Sequence, residues 1–355
     1  MNRIDHVIDK FENNQRITPD EGLALLRHAD LLVLADLAMR KRMDLHPDPV
    51  VTYVVDRNIN YTNICISGCR FCAFFEHPGH NGGRGYIISK HELSEKIEET
   101  LELGGTQILL QGGMHPELDI DYYTDMLKFI KDNFDIHIHG FSPPEIHFIA
   151  EKSDLSIAET LSILREAGLS SVPGGGAEIL VDEIRARVSP NKCNSEQWLE
   201  VMRQAHLLGM RSSATMMFGH IEEDFHIFEH LDKIRNLQDE THGFTAFIPW
   251  TFQPENTKIN VVKKTAVEYL KVLAVSRLFL DNFDNIQASW VTQGDKIAQT
   301  ALFFGANDMG STMIEENVVS SAGVDFMLSR DELDRLITTA GFVPKQRDCY
   351  YNLIK

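Results

Sequence analysis

The chain reads as an α/β protein built on a (βα)8 barrel of the TIM type, and three observations carry that reading. Strand-like apolar runs recur along it, each is followed by a Gly-, Pro- or polar-rich turn and then an amphipathic helical stretch, and its 355 residues suffice for about eight such units. Alternation of strand and helix implies parallel pairing, because each crossover helix returns the chain to the same end of the sheet. Eight units close a barrel. A partial, six-unit barrel stays compatible, since three of the strand runs are weak.

Taken in order, Thr18, Pro19, Asp20 and Glu21 combine a capping box with a first-turn proline and open a helix. A second apolar helix is expected around residues 31–40, so residues 1–48 read as an N-terminal helical cap and residues 49–355 as one barrel unit. The strand runs are 57–63, 106–111, 136–141, 169–172, 211–218, 244–250, 286–291 and 306–310, of which 57–63, 169–172 and 306–310 are weak. Ser89 with Glu92 and Ser156 with Glu159 fit further capping boxes, in which hydroxyl and carboxylate satisfy each other's backbone donors. Gly104, Gly168, Gly209 and Gly305 sit just past helical patterns, where a left-handed C-terminal cap is needed. Residues 329–339 read as a final helix closed by Gly341, followed by a short C-terminal extension.

Composition narrows the function classes. Lys and Arg total 34 against 52 for Asp and Glu, a formal net charge of −18 that repels phosphate backbones and argues against nucleic acid. No run approaches the roughly 18 apolar residues of a membrane span. The first 16 residues are charged throughout and carry no signal-peptide core, so a cytoplasmic location is expected. There are five cysteines, three of them within eight residues, which argues against a disulfide framework and for a metal site.

Chemistry in such barrels lies just after each strand, on loops at the C-terminal face. There the run Cys65-Ile66-Ser67-Gly68-Cys69-Arg70-Phe71-Cys72 follows the first strand. Three thiolates on a Gly-containing loop can converge on an iron–sulfur cluster and leave one iron open to a small-molecule chelator. Zinc is the competing occupant, with His77 or His80 as fourth ligand. Cys193 and Cys349 lie far from the triplet and read as packing residues, and so do Met216 and Met217. His137 and His139 alternate along a strand and share a face; without a third ligand evident beside them, they read as core.

The spacing Cys-x-x-x-Cys-x-Phe-Cys resembles the signature of the radical S-adenosylmethionine (SAM) superfamily. The likeness extends to Asn58–Asn63 as a lead-in, to Gln111-Gly112-Gly113-Met114-His115-Pro116, Ser142-Pro143-Pro144-Glu145 and Pro173-Gly174-Gly175-Gly176-Ala177-Glu178. Met217-Phe218-Gly219-His220, Trp250-Thr251-Phe252-Gln253-Pro254 and Gly310-Ser311-Thr312-Met313-Ile314-Glu315-Glu316-Asn317 follow. These motifs are similar to one branch of the superfamily, which holds futalosine-pathway enzymes of menaquinone synthesis and a synthase of the deazaflavin cofactor. They cover the chain from Val51 onward, and each falls at or near the end of an expected strand.

The resemblance implies a 4Fe–4S cluster on Cys65, Cys69 and Cys72, SAM on its open iron, a small nucleoside substrate, and flavodoxin or ferredoxin as electron donor. It places the backbone of Phe71 near the SAM adenine, Gly112 and Gly113 at the methionine amino group, and Glu178 at the ribose or amino group. Ser142 and Glu145 would contact SAM or substrate, and His115 and His220 a substrate carboxylate or ribose. Trp250 would stack on substrate while the Gln253 amide meets ribose hydroxyls. Glu315 and Glu316 are candidate proton acceptors. Plainer readings stand beside these: strand-to-helix turns for the glycines and prolines, structural histidines, barrel-rim packing for Trp250 and Gln253. A non-enzymatic electron carrier or zinc-structured binding protein is the remaining function class, although a carrier has little use for a barrel of this size.

Overall fold

The computed structural model describes residues 4–79, 83–324 and 326–354; His80 lies outside them. Three helices come first, α1 (Asp5–Glu12), α2 (Pro19–His28) and α3 (Leu31–Leu45). The strands are β1 (Val50–Val54), β2 (Asp56–Asn60), β3 (Gln107–Gln111), β4 (His137–Gly140), β5 (Ser171–Val172), β6 (Arg211–Phe218), β7 (Phe244–Thr251), β8 (Asn285–Ile286), β9 (Asp308–Ser311) and β10 (Val343–Gln346). Between β2 and β6 run α4 (Lys90–Glu102), α5 (Ile120–Asn133), α6 (Pro143–Lys152), α7 (Ile157–Ala167), α8 (Asp182–Val188) and α9 (Ser195–Leu207). After β6 come α10 (Asp224–Thr241), α11 (Ala266–Phe279), α12 (Trp290–Gln293), α13 (Asp295–Ala301) and α14 (Arg330–Thr339). Among the described residues no helix is long and apolar enough to cross a membrane.

Strands β2 to β8 form one seven-stranded parallel sheet in sequence order. The eighth expected strand, β9, carries the wall onward: it pairs in parallel with β1, bridges Gln287 of the β8 edge through Asp308, and accepts Ala288 N–H on Asp308 O at 2.8 Å. Just past β9, Thr312 N–H reaches Val54 O at 2.9 Å and Ile314 N–H reaches Asp56 O at 3.2 Å, which brings the wall back to its first strand. The barrel architecture expected from the sequence is therefore present. Strands β1 and β10 were not expected. Only Val55 separates β1 from β2, so the two read as one run, and β10 pairs β1 from within the expected C-terminal extension.

Side-chain alternation builds core and cavity from the same strands. On β3, Ile108 and Leu110 are fully buried in the apolar core, while Gln107, Leu109 and Gln111 line the interior cavity. On β6, Ala214 and Met216 are fully buried, while Ser213 and Thr215 line the cavity. Parallel strands are ordinarily apolar on both faces. Here the inward face carries amides and hydroxyls, the mark of an interior that binds something polar.

The N-terminal helices meet the opposite end of the barrel from the cysteine loop. Helices α2 and α3 pack on α10 and α11. Fully buried Arg42 of α3 donates to Ala306 O at 3.2 Å and Val50 O at 3.0 Å, and His46 Nε2 lies 2.8 Å from Asp284 O. Those carbonyls sit where β9, β1 and β8 begin, so this layer closes the base. At that base the chain after β10 turns inward: Arg347 and Asp308, both buried, pair at 2.5 and 3.0 Å.

Candidate functional site

The cysteine loop leaves β2 and is clasped by distant parts of the chain. Cys65 N–H donates to Glu76 O at 3.0 Å, Ile66 N–H to Met114 O at 3.1 Å, Arg70 N–H to Val188 O at 2.8 Å, and Lys258 N–H to Arg70 O at 2.8 Å. Ser67 Oγ stands between two of the thiols, 2.9 Å from Cys65 Sγ and 3.3 Å from Cys69 Sγ. Backbone N–H groups of Ser67 and Met114 point at Cys65 Sγ from 3.4 and 3.3 Å. Such donors to sulfur stabilise a metal-bound thiolate. Burial pushes the Cys69 thiol up to about 11, against the pull of the nearby Lys192 ammonium, and raises Cys72 too. Burial thus favours the protonated thiol at Cys69 and Cys72, and metal binding there would release protons.

Among the described residues, the three-ligand set whose donor atoms all fall within 4.8 Å is His137, His139 and Cys349, at the far end of the barrel.

Gly112 and Gly113 follow β3 directly behind this loop. A Cβ on Gly113 would stand 2.2 Å from Ile64 O, and one on Gly112 would stand 2.6 Å from the Tyr61 ring. Close packing therefore requires glycine at both positions, Gly112 against the Tyr61 ring and Gly113 against the backbone that enters the cysteine loop. Their N–H groups are already committed, Gly112 to Glu145 Oε1 at 2.9 Å and Gly113 to Thr62 O at 2.9 Å. Only their carbonyls are left to meet an ammonium.

Glu145 and Ser142 differ from expectation. Glu145 is buried; Oε1 accepts from Tyr61 Oη at 2.7 Å and Gly112 N–H, while Oε2 accepts from Ser142 N–H at 2.8 Å and Ser142 Oγ at 2.5 Å. Ser142-x-x-Glu145 is the capping box of α6, with Pro143 in its first turn. All four contacts are internal, so Glu145 is a brace joining the ends of β2, β3 and β4 and not a substrate ligand. Burial raises its pKa while the donors oppose the rise.

Glu178 holds a left-handed conformation, φ 43°, on the turn after the Gly174–Gly176 run. It lines the cavity, and its side chain is buried between Lys192 Nζ at 2.8 Å and Arg185 NH1 at 3.4 Å. Lys192 Nζ also lies 5.2 Å above the Phe71 ring. Burial opposes its charge, yet Cys69 and Glu178 keep it protonated. Sequence reading missed Lys192 and Arg185. The available signal was two cations, seven and fourteen residues past Glu178, in an acidic chain.

The interior cavity, about 310 Å³, runs along the barrel axis from Glu178 and the Gly174–Gly176 turn to Arg347 and Tyr351 at the base. Trp250 and Glu316 line it as expected positions. Glu316 is held by Val318, Val319 and Ser320 N–H groups at 3.1, 2.7 and 3.1 Å. Glu315 lies outside the cavity lining: it pairs with Lys96 of α4 at 2.6 Å. His220 is likewise outside the lining, its ring fully enclosed and held by Met217 O at 3.2 Å and Ile221 N–H at 2.8 Å. His115, whose Nδ1 accepts Glu117 N–H at 3.1 Å, sits one residue beyond the Met114 contact with Cys65. Gln253 is buried beside Thr251, its Nε2 on Thr251 O at 3.0 Å while its Oε1 finds no partner.

Residues 59–234 match the radical SAM superfamily and residues 241–355 match the CofH/MqnC C-terminal region. A cyclic dehypoxanthine futalosine synthase of Halalkalibacterium halodurans is 46% identical over 99% of this chain and 95% of its own length. The chain belongs to the radical SAM superfamily. It is an enzyme of that superfamily, which works with an iron–sulfur cluster and SAM. A 5-amino-6-(D-ribitylamino)uracil–L-tyrosine 4-hydroxyphenyl transferase of Methanocaldococcus jannaschii is 44% identical over 98% of this chain and 99% of its own length. The fold is shared with the FeFe-hydrogenase maturase HydG of Carboxydothermus hydrogenoformans, at a TM-score of 0.73, 16% identity, and coverage of 98% of this chain and 80% of that one. The radical SAM donor set fits this chain: three soft sulfur ligands on one loop, two N–H groups aimed at one of them, and a cation beside another.

Proposed function

We propose that this radical SAM enzyme is a cyclic dehypoxanthine futalosine synthase acting in menaquinone synthesis. The observation that carries the proposal is the 46% identity to the Halalkalibacterium halodurans synthase across nearly the whole of both chains. Cys65, Cys69 and Cys72 hold a 4Fe–4S cluster; bound there, cluster and SAM supply a 5′-deoxyadenosyl radical. The chain's own task is orientation, since a primary carbon radical abstracts whichever hydrogen lies in reach. Glu178, tied down by Lys192 and Arg185, accepts hydrogen bonds from the SAM ribose or amino group in this reading, and the Gly112 and Gly113 carbonyls meet the amino group. Phe71, fixed between two ligands, offers its backbone to the adenine. Trp250 lines the cavity, where its ring stacks on the substrate's aromatic ring. Loss of the ribose C4′ hydrogen lets C4′ bond to the benzoate ring. The walls exclude water, which protects the carbon radical. A low-potential flavodoxin or ferredoxin donates the electron in the cytoplasm.

The Methanocaldococcus jannaschii relative, at nearly equal identity, favours tyrosine as the second substrate choice. An anaerobic assay of iron-reconstituted protein with SAM, dithionite and either dehypoxanthine futalosine or tyrosine with the ribitylaminouracil separates the two by mass spectrometry. A cyclised nucleoside two hydrogens lighter than its precursor is expected. Conversion of tyrosine alone transfers the chain to the second activity, and absence of 5′-deoxyadenosine with either substrate refutes both.

A further inference from the structure

At the base of the barrel two imidazoles and a thiol converge on one point. The ligating atoms of His137, His139 and Cys349 all lie within 4.8 Å of one another. Ser171 Oγ marks the point of convergence, 2.7 Å from His137 Nε2, 2.6 Å from His139 Nδ1 and 3.4 Å from Cys349 Sγ. The atoms come from separate stretches of chain. His137 and His139 stand two apart on β4 and share one face, Ser171 pairs beside His139 from β5, and Cys349 follows β10 on the C-terminal tail.

Contacts outside the trio hold it in place. Arg347 N–H donates to Tyr53 O at 2.9 Å and Ile354 N–H to Gln346 O at 2.9 Å, so the tail folds back on itself at the base of the barrel. That turn carries Cys349 inward, where it is buried. The Tyr350 ring meets the His137 ring edge-on at 5.1 Å. Charge permits a cation here. Arg347, two residues before the thiol, is matched by Asp308 at 2.5 and 3.0 Å. A divalent ion bound with one thiolate adds a single positive charge. The Asp348 carboxylate next to Cys349, held by the N–H groups of Tyr350 at 2.8 Å and Asn352 at 2.9 Å, carries one negative charge.

We propose that His137 Nε2, His139 Nδ1 and Cys349 Sγ are the ligands of a zinc site, separate from the cysteine loop, that fastens the C-terminal tail to the barrel wall. The donor set selects the metal class. Two imidazoles and one thiolate suit zinc, whereas magnesium and calcium take oxygen ligands. Zinc bonds of about 2.0 Å to nitrogen and about 2.3 Å to sulfur are shorter than the distances to Ser171 Oγ. The ion therefore enters as the serine hydroxyl turns about its Cα–Cβ bond and the three donors close in. Cys349 binds as thiolate and releases its proton. His139 and Cys349 both line the cavity, so the fourth position faces it and takes a water. The ion shuts the end of the cavity opposite the cysteine loop, whichever substrate the enzyme turns over.

The test reads metal in the full chain carrying Cys65→Ala, Cys69→Ala and Cys72→Ala together, so that a bound ion belongs to the base. One zinc per chain is expected. X-ray absorption at the zinc edge should show one sulfur at about 2.3 Å beside nitrogen and oxygen at about 2.0 Å. Cobalt in its place should give the visible bands of a four-coordinate ion and a sulfur-to-cobalt charge-transfer band. Cys349→Ala in this background should abolish that band, and His137→Gln should weaken binding about 10²-fold. Zinc at a hundredfold excess over its Kd should raise the Tm by about 5 °C, a rise that Cys349→Ala removes. A cooperatively melting triple variant that binds no zinc overturns the site. So does a bound zinc without a sulfur neighbour, or a cobalt spectrum that Cys349→Ala leaves unchanged. If the triple variant does not melt cooperatively, the reconstituted wild type decides: one zinc per chain with one sulfur neighbour upholds the site, and no zinc, or zinc with three sulfurs or none, overturns it.

Discussion

Glu145 offers the sharpest test of how the site is held. Its two oxygens face donors only: Tyr61 Oη and Gly112 N–H on one side, Ser142 N–H and Ser142 Oγ on the other. In Glu145→Gln the amide NH2 must replace one oxygen. On the first side Tyr61 can turn its hydroxyl to accept, but Gly112 N–H is orphaned. On the second, Ser142 Oγ can rotate, but Ser142 N–H is orphaned. Either choice strands one buried backbone donor at a cost of about 1–3 kcal/mol. Glu145→Ala removes both acceptors and strands Gly112 N–H, Ser142 N–H and Tyr61 Oη together, a loss of about 3–6 kcal/mol once partial relaxation is allowed. Urea unfolding of the metal-free protein, followed by circular dichroism, should rank wild type above Glu145→Gln and Glu145→Ala last. An alanine variant within about 1 kcal/mol of wild type, or a glutamine variant worse than alanine, would refute the brace and return Glu145 to the list of substrate ligands.

Two further outcomes follow from the structure. Gly113→Ala places a methyl 2.2 Å from Ile64 O and 2.9 Å from Cys65 Cβ, so the cysteine loop must shift; a loss of about 1–3 kcal/mol is expected together with less iron per chain after reconstitution, and full iron at wild-type stability would contradict it. His206, bonded to Thr241 Oγ1 at 2.7 Å and Ser212 Oγ at 2.6 Å, is lowered by burial from 6.5 to about 4. Because the folded pKa lies below the unfolded one, its contribution is intact above 6.5 and lost as pH falls toward 4. The stability advantage of wild type over His206→Gln should therefore shrink by about 2 kcal/mol between pH 8 and pH 5. A difference independent of pH would show that the ring titrates normally.

The eight expected strand runs are all found because a buried strand flanked by helices leaves a plain signature in composition and turns. Of the three weak runs, 169–172 is the two-residue β5, too short for alternation to register, while 57–63 and 306–310 are β2 and β9, whose residues are largely polar or glycine. Strand β1 hid by abutting β2. The cysteine loop was legible because its residues are adjacent in sequence. Misreadings arose where local chemistry sufficed: Ser142 with Glu145 obeys the same capping rule as Ser156 with Glu159, yet its place after a strand suggested a ligand. His139 was set aside for lack of a third partner, which Cys349 supplies from 210 residues further on. Lys192 and Glu178 meet only through the turn between β5 and α9. Pairings of that kind belong to the tertiary fold and leave no local pattern.

The clasp on the cysteine loop has a consequence for how the protein matures. Its holding bonds come from residues 76, 114, 188 and 258, in that order along the chain. During synthesis the three thiols emerge early, with most of their seat still unmade. A nascent chain ending within α9 carries all three cysteines of the loop but lacks the residue 258 contact that pins Arg70 between the second and third of them. The full clasp exists only once translation has passed β7 and residue 258, so a cluster loaded into the finished seat would be loaded after that point. Fragments that stop earlier would hold iron loosely and be the ones to shed it.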